Sequence, residues 1–121
     1  MTDSSLTINK LVEMQSSLAI KQMIIIKFTA DWCAPCQGIK PIVDEYLEKL
    51  PQSINYIEID VDESIELYSF LKTKKMVNGI PAILAFYHGT KDTAYIPDDS
   101  VLGGNKNEVA KFFQRCINYV S

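Results

Sequence analysis

The sequence predicts an α/β sandwich with a mixed central sheet, and three observations carry that expectation. Segments with helical period alternate with segments of strand character along the chain. The run "MIIIKFTA" (23–30) is apolar and β-branched on nearly every residue, the pattern of a strand covered on both faces. It opens a strand–helix–strand unit, which requires parallel strands and a right-handed crossover, whereas the late strands are expected to form a hairpin. No repeat, low-complexity tract or Pro/Gly/Ser-rich linker divides the 121 residues. A single domain over 1–121 is therefore expected, long enough for one core without disulfide or metal staples.

The elements follow in order. Residues 6–22 place Leu6, Leu11, Met14 and Leu18 at helix-like intervals, with Thr7 or Asn9 as the cap. After the apolar strand, "CAPCQGIKPIVDEYLEKL" (33–50) reads as a helix. Pro35 is tolerated in its first turn, Pro51 lies just past its end, and Pro41 inside it predicts a kink. "INYIEIDVD" (54–62) alternates as a strand does, putting Ile57, Ile59 and Val61 on one side. "SIELYSFLKTKK" (64–75) predicts a helix capped by Ser64. "AILAFYHG" (82–89) predicts a strand ending at a glycine turn, "TAYI" (93–96) a further strand, and "PDDS" a polar turn. An amphipathic helix over 105–120 closes the chain, with Val109, Phe112, Phe113, Cys116 and Val120 facing the core.

Composition narrows the functional classes. Apolar residues at 47% and charged residues at 22% are ordinary for a soluble globular chain. A net charge of −3 gives no electrostatic reason to expect nucleic acid as a partner. No apolar stretch approaches the ~20 residues that cross a bilayer, so no membrane association is expected. "MTDSSLTINK" has neither a basic n-region with an apolar h-region nor the Arg-rich look of a transit peptide. A cytoplasmic location is the resulting expectation, and there a C-x-x-C pair points to catalysis or metal binding rather than a structural bridge.

That pair is Cys33 and Cys36, directly after the single tryptophan, Trp32, in "TADWCAPCQGIKP" (29–41). It falls where a buried strand gives way to a helix. At a helix N-terminus the unpaired N–H groups and the dipole favour a thiolate, which can bring a thiol pKa from about 8.5 toward ~7. Cys33 is then the attacking thiol, and Cys36, a turn further in, resolves the mixed disulfide. Ala34 and Pro35 keep the intervening turn short. Zinc is the competing reading, but a structural zinc site takes about four ligands. Only Cys116 and His88 remain as sulfur or imidazole ligands, and they form no second spaced pair. Cys116 lies on the apolar stripe of the last helix and reads as a buried structural thiol. His88 beside its glycine reads as a surface residue.

"FTADWCAPCQGIKPIVDEY" resembles the active-site segment of thioredoxins, whose usual motif is Trp-Cys-Gly-Pro-Cys followed by a helix with a mid-helix proline. The resemblance continues through "YIEIDVDES", "VNGIPAILAFYHG" and "VLGG", from about residue 22 onward. It implies the thioredoxin fold, a three-layer α/β/α sandwich whose mixed sheet of about four strands is flanked by helices. It further implies that Cys33 is the nucleophile and Cys36 the resolving cysteine. Trp32, Ala34, Pro35, Ile80, Pro81 and Gly103 would line a shallow substrate groove, and the Ile80–Pro81 bond would be cis, setting the Ile80 backbone beside the cysteines.

The chain also departs from the family pattern. Ala34 replaces a glycine, the 89–103 segment is longer than usual, and no amino-terminal strand is evident. Lys27 is the largest departure, because thioredoxins usually carry a buried aspartate there. Two readings stand. Lys27 snorkels to the surface along its aliphatic stem, or Lys27 and Glu58 form an inverted charge pair, with Glu58 as proton acceptor and Lys27⁺ favouring a Cys36 thiolate.

The resulting expectation is a dithiol–disulfide oxidoreductase that reduces protein disulfides without a metal or organic cofactor. Its partners would be disulfide-containing proteins and a thioredoxin-reductase-type or other external reductant, and the chain would act as a monomer. A binding module of the same fold with weak or no redox turnover is the alternative.

Overall fold

Met23–Thr29 forms β1, and the residues from Met23 to Phe28 are all buried. The cause is position. The strand order is β2-β1-β3-β4, so β1 has a neighbour on each side and a helical layer over each face. The computed structural model describes residues 6–89 and 93–121. Around β1 stand α1 (Ile8–Ser16), α2 (Ala34–Leu47), β2 (Ile54–Asp60), α3 (Glu66–Thr73), β3 (Ala82–Tyr87), β4 (Asp99–Leu102) and α4 (Lys106–Val120). β1 pairs parallel with β2, from Met23 opposite Ile54 to Thr29 opposite Asp60. It pairs antiparallel with β3, and β3 pairs antiparallel with β4.

The period of two sorts β1 between two cores. Ile24, Ile26 and Phe28 pack with Leu11, Ile57, Ile59, Leu67 and Leu71, the layer of α1 and α3. Met23 and Ile25 pack with Ile39 and Val43 of α2 and with Val109, Phe112, Phe113 and Cys116 of α4. This is the three-layer α/β/α sandwich. No helix among the described residues is long and apolar enough to cross a membrane.

Several local expectations need correction. α1 is much shorter than 6–22, although Thr7 caps it by accepting from the Lys10 N–H at 3.2 Å. The Ser16 and Ser17 hydroxyls turn back to donate to the Glu13 carbonyl, at 2.8 and 3.1 Å, and Ser17 is where the helix stops. Ser64 does not cap α3. That role falls to Ile65, which offers no side-chain acceptor, while Ser64 is buried and donates its N–H to the Asp60 carbonyl at 2.9 Å. α2 continues past Pro41 to Leu47, although the proline cannot donate to the Gln37 carbonyl.

The last strand lies at Asp99–Leu102 and not at 93–96. Thr93–Tyr95 is a turn, and the Ala94 carbonyl accepts from Gln15 Nε2 at 2.8 Å instead of joining a ladder. The "PDDS" segment that reads as a turn runs into β4 because α4 grips it. Arg115 donates to both Asp99 carboxylate oxygens, at 2.8 and 2.9 Å. The amino-terminal segment before Leu6 and the 90–92 part of the long 89–103 connection lie outside the described residues.

α3 ends in a Schellman arrangement. Met76 N–H reaches the Leu71 carbonyl at 2.9 Å and Lys75 N–H the Lys72 carbonyl at 3.0 Å. Lys75 holds the left-handed position at φ 64°, where glycine avoids the Cβ penalty. Lys75→Gly should therefore raise the unfolding free energy by about 1 kcal/mol, read as a higher urea midpoint at unchanged m-value. A lower midpoint would show that the lysine stem contributes more than its backbone costs.

Candidate active site

The turn from β1 into α2 places the cysteines. Cys33 donates its N–H to the Ala30 carbonyl at 3.2 Å and takes the N-cap position of α2 at φ −84°, ψ 105°. Its sulfur accepts the Cys36 N–H at 3.2 Å, doing what a serine or aspartate oxygen does at most helix starts. Pro35 sits in the first turn, where no N–H is required. A sulfur at this spot faces the positive end of the helix, which stabilises the anion it becomes on reduction. Cys33 and Cys36 are joined as a disulfide with their Cα atoms 5.2 Å apart. Cys33 is the less enclosed of the two, though both are largely buried.

Two further loops close on this turn. The Ile80–Pro81 peptide is cis, and the Ile80 carbonyl oxygen lies 3.7 Å from Cys33 Sγ. The Pro81 carbonyl accepts the Gly103 N–H at 2.9 Å, with Gly103 at φ 94°. Gly104 abuts the helix start, since a Cβ there would stand 3.0 Å from Pro35 Cβ. Sequence reasoning singled out Gly103 and missed Gly104. The glycine pair was visible, but the second is needed for a contact between distant segments.

Trp32 is 68% exposed, and its indole N–H donates to Asp62 Oδ2 at 2.7 Å. Trp32, Ile65, Tyr68, Lys72, Gly79 and Ile80 border a groove of about 420 Å³. A second hollow, of about 320 Å³, lies over Pro81, Leu102 and Gly103. Exposed Ile65 and Leu102 give these surfaces apolar rims that no spacing rule signals. The structure thus brings Trp32, Cys33, Pro35, Cys36, Ile80, Pro81 and Gly103 into one neighbourhood, and Ala34 is exposed in the first turn of α2.

Lys27 and Glu58 are register partners on β1 and β2. Lys27 Nζ lies 3.5 Å from Glu58 Oε1, with the lysine side chain 4% and the glutamate side chain 35% exposed. Lys27 is therefore buried and paired with a half-exposed carboxylate, and it does not snorkel. It shares its sheet face with Ile25 and Ile83, the α2/α4 side, whereas the cysteines pack with Phe28, Ile59 and Tyr68. Among the described residues, no hydrogen bond or ion pair joins either charge to a cysteine. Glu58 Oε1 also accepts the Tyr56 hydroxyl at 2.8 Å. Burial, reinforced by Glu58, pushes that hydroxyl well above the usual tyrosine range, so Tyr56 remains a donor. Sequence reasoning missed Tyr56, although a residue two before Glu58 on a strand necessarily shares its face.

The other candidates are peripheral. His88 Nδ1 lies 2.6 Å from the Leu18 carbonyl, tying the end of β3 to the segment after α1. No group of three His, Cys, Asp or Glu side chains among the described residues is arranged to hold a metal ion. Cys116 is buried, and burial pushes its thiol up to about 12, with Asp99 adding to the rise.

Fold and site define a class: an α/β sandwich that presents a disulfide-forming C-x-x-C pair at a helix N-terminus, beside a cis-proline loop. The thioredoxin family model matches residues 7–114, and the chain belongs to that family. It is 31% identical over 77 residues to Thioredoxin-1 of Saccharomyces cerevisiae, a match covering 64% of this chain and 70% of that protein. It is 33% identical over 88 residues to an H-type thioredoxin of Oryza sativa subsp. indica, covering 73% of this chain and 63% of the relative. These matches thus span about two thirds of the relatives' length. Among solved structures, Nicotiana alata thioredoxin NaTrxh superposes with a TM-score of 0.67 at 22% identity, covering 97% of this chain and 91% of that one. Plasmodium falciparum thioredoxin gives 0.65 at 22%, covering 94% and 96%. At this identity the structural likeness speaks for the fold. Family membership with the Cys33–Cys36 pair supports thiol–disulfide oxidoreductase chemistry.

The raised Cys116 pKa has a pH signature. Between the ordinary thiol value near 9 and about 12, the folded chain holds a proton that the unfolded chain has released. Stability contributed by this thiol is complete below that window and lost as pH rises through it. In the oxidised protein, unfolding free energy should fall more steeply across this range than in Cys116→Ala. Denaturant midpoints at each pH test this, and parallel curves would show that Cys116 titrates normally.

Proposed function

We propose that this chain reduces disulfides in partner proteins through the Cys33–Cys36 dithiol. The observation that carries the reading is the disulfide at the α2 N-terminus with the Ile80 carbonyl 3.7 Å from Cys33 Sγ. Reduced Cys33, as thiolate, attacks one sulfur of the substrate disulfide. That bond breaks, a Cys33–substrate mixed disulfide forms, and the leaving substrate thiolate takes up a proton. Cys36 then loses its proton and attacks Cys33 Sγ, forming the internal disulfide and releasing the second substrate thiol. The dithiol supplies two electrons, and an external reductant of the thioredoxin-reductase type returns them.

Ile80, Pro81 and Gly103, with Trp32, Ala34 and Pro35, receive the substrate's extended segment in this reading, through the backbone of the cis-proline loop. The Lys27–Glu58 pair touches neither cysteine and faces the α2/α4 side of the sheet, so its role at Cys36 is exerted at a distance. In this reading Glu58, the partly exposed member, is the final acceptor of the Cys36 proton, and the charge of Lys27 favours the Cys36 thiolate. A cytoplasmic, monomeric protein fits a chain with one redox pair and one buried thiol.

Insulin-disulfide reduction under dithiol supply is the direct assay. Wild type should turn over and Cys33→Ser should not. Inactive wild type would overturn the redox reading in favour of a binding module. Glu58→Gln should slow reduction by roughly tenfold or more and by more than Lys27→Met does, with the folded fraction checked by circular dichroism. Equal, negligible effects of the two changes would remove the pair from the mechanism.

A further inference from the structure

The groove beside Cys33 ends in charges that the redox chemistry does not use. Lys72, Lys74 and Lys75 are all exposed where α3 stops. Lys74 is committed elsewhere, its Nζ 5.7 Å from the Phe70 ring centre and 5.4 Å from that of Tyr95. Lys72 and Lys75 have no ion-pair partner among the described residues. Together with Val77 and Asn78 they border a hollow of about 400 Å³. Lys72 also borders the groove that holds Trp32 and Ile80, and Asn78 also borders the hollow over Pro81. The two cations therefore stand at the end of a continuous surface that begins at the Ile80 carbonyl. At the opposite end is Asp62, held by the Trp32 indole. Asp62 precedes α3 and Lys72 lies in its last turn, so the groove changes sign along α3, whose eight residues span roughly 12 Å.

Lys75 adds an independent observation. It occupies a left-handed backbone position that glycine would hold without strain. The chain thus places a cation at the groove end at a local cost in stability.

We propose that Lys72 and Lys75 form an anion-reading subsite, which selects disulfides whose flanking extended segment carries acidic side chains. The proposal rests on the redox reading above and names the substrate class of the same site. A segment paired with the Ile80 backbone advances about 3.3 Å per residue, so an acidic residue about three or four positions from the substrate cysteine spans the groove. The chain's net charge of −3 makes the preference diagnostic. Its overall field favours basic peptides, so a preference for acidic ones points to a local cluster of cations, and the Lys72 and Lys75 variants assign it.

The test uses disulfide-linked peptides that differ only in carrying Glu, Gln or Lys at the third and fourth positions from the cysteine, on either side. Wild type should reduce the Glu peptide with a kcat/KM about fivefold above the Lys peptide at low salt. That ratio should fall toward one at about 0.5 M salt. Lys72→Glu/Lys75→Glu should reverse it. Lys75→Gly should lower the ratio while raising the urea midpoint, which separates charge reading from folding. A wild-type ratio at or below one at low salt, with all peptides reduced, overturns the subsite and leaves the redox reading standing. Reduction of none of the peptides overturns both.

Discussion

The structure depends on the double burial of β1. A strand with a neighbour on each side and helices over both faces has only one exit from the core, at its carboxyl end. There the chain turns through Ala30 into α2, and the first residue it can offer to the helix start is Cys33. The redox pair is therefore brought to the strand end by the packing of Met23 to Phe28 and held there by its own bonds to the Ala30 carbonyl and within the first turn of α2. The same crowding accounts for Lys27. A cation on this strand cannot reach water freely, so it takes Glu58 from the parallel neighbour at the same register. Removing the carboxylate would strand a buried charge, which is why such a pair is more costly to break than to lack.

Around that exit, three connections with no sequence proximity meet at short range. The β1–α2 turn supplies sulfur, the cis Ile80–Pro81 loop supplies a carbonyl, and Gly104 after β4 closes over Pro35. Each is anchored behind the site. Asp99 is clamped by Arg115, so β4 and the glycine turn after it are held to α4. The apolar groove beside the site is bounded by the exposed Trp32 and Ile65, and its polarity by Asp62 and Lys72.

How much of this was legible depended on whether the cause was local. β1 declared itself because burial on both faces erases alternation, and α4 because Val109, Phe112, Phe113 and Cys116 follow the helical period. The cysteine pair was readable because a strand end, a C-x-x-C and a first-turn proline lie within a dozen or so residues. β4 was misplaced because its strand character comes from Arg115 on α4 and from the β3 ladder, not from "DSVL" itself. α1 was overextended because apolar periodicity continues past the point where two serine hydroxyls end the helix. Tyr56 and Gly104 matter through partners distant in sequence or on a face not being counted. The cis-proline loop was expected only by resemblance, since a lone proline after "NGI" reads as an ordinary turn.

The contact between Gly104 and Pro35 bears on how the site can breathe. With the glycine turn butted against the first turn of α2, the helix start is buttressed from that side. Any side chain larger than hydrogen at Gly104 would press on Pro35 and so on the turn that carries Cys33.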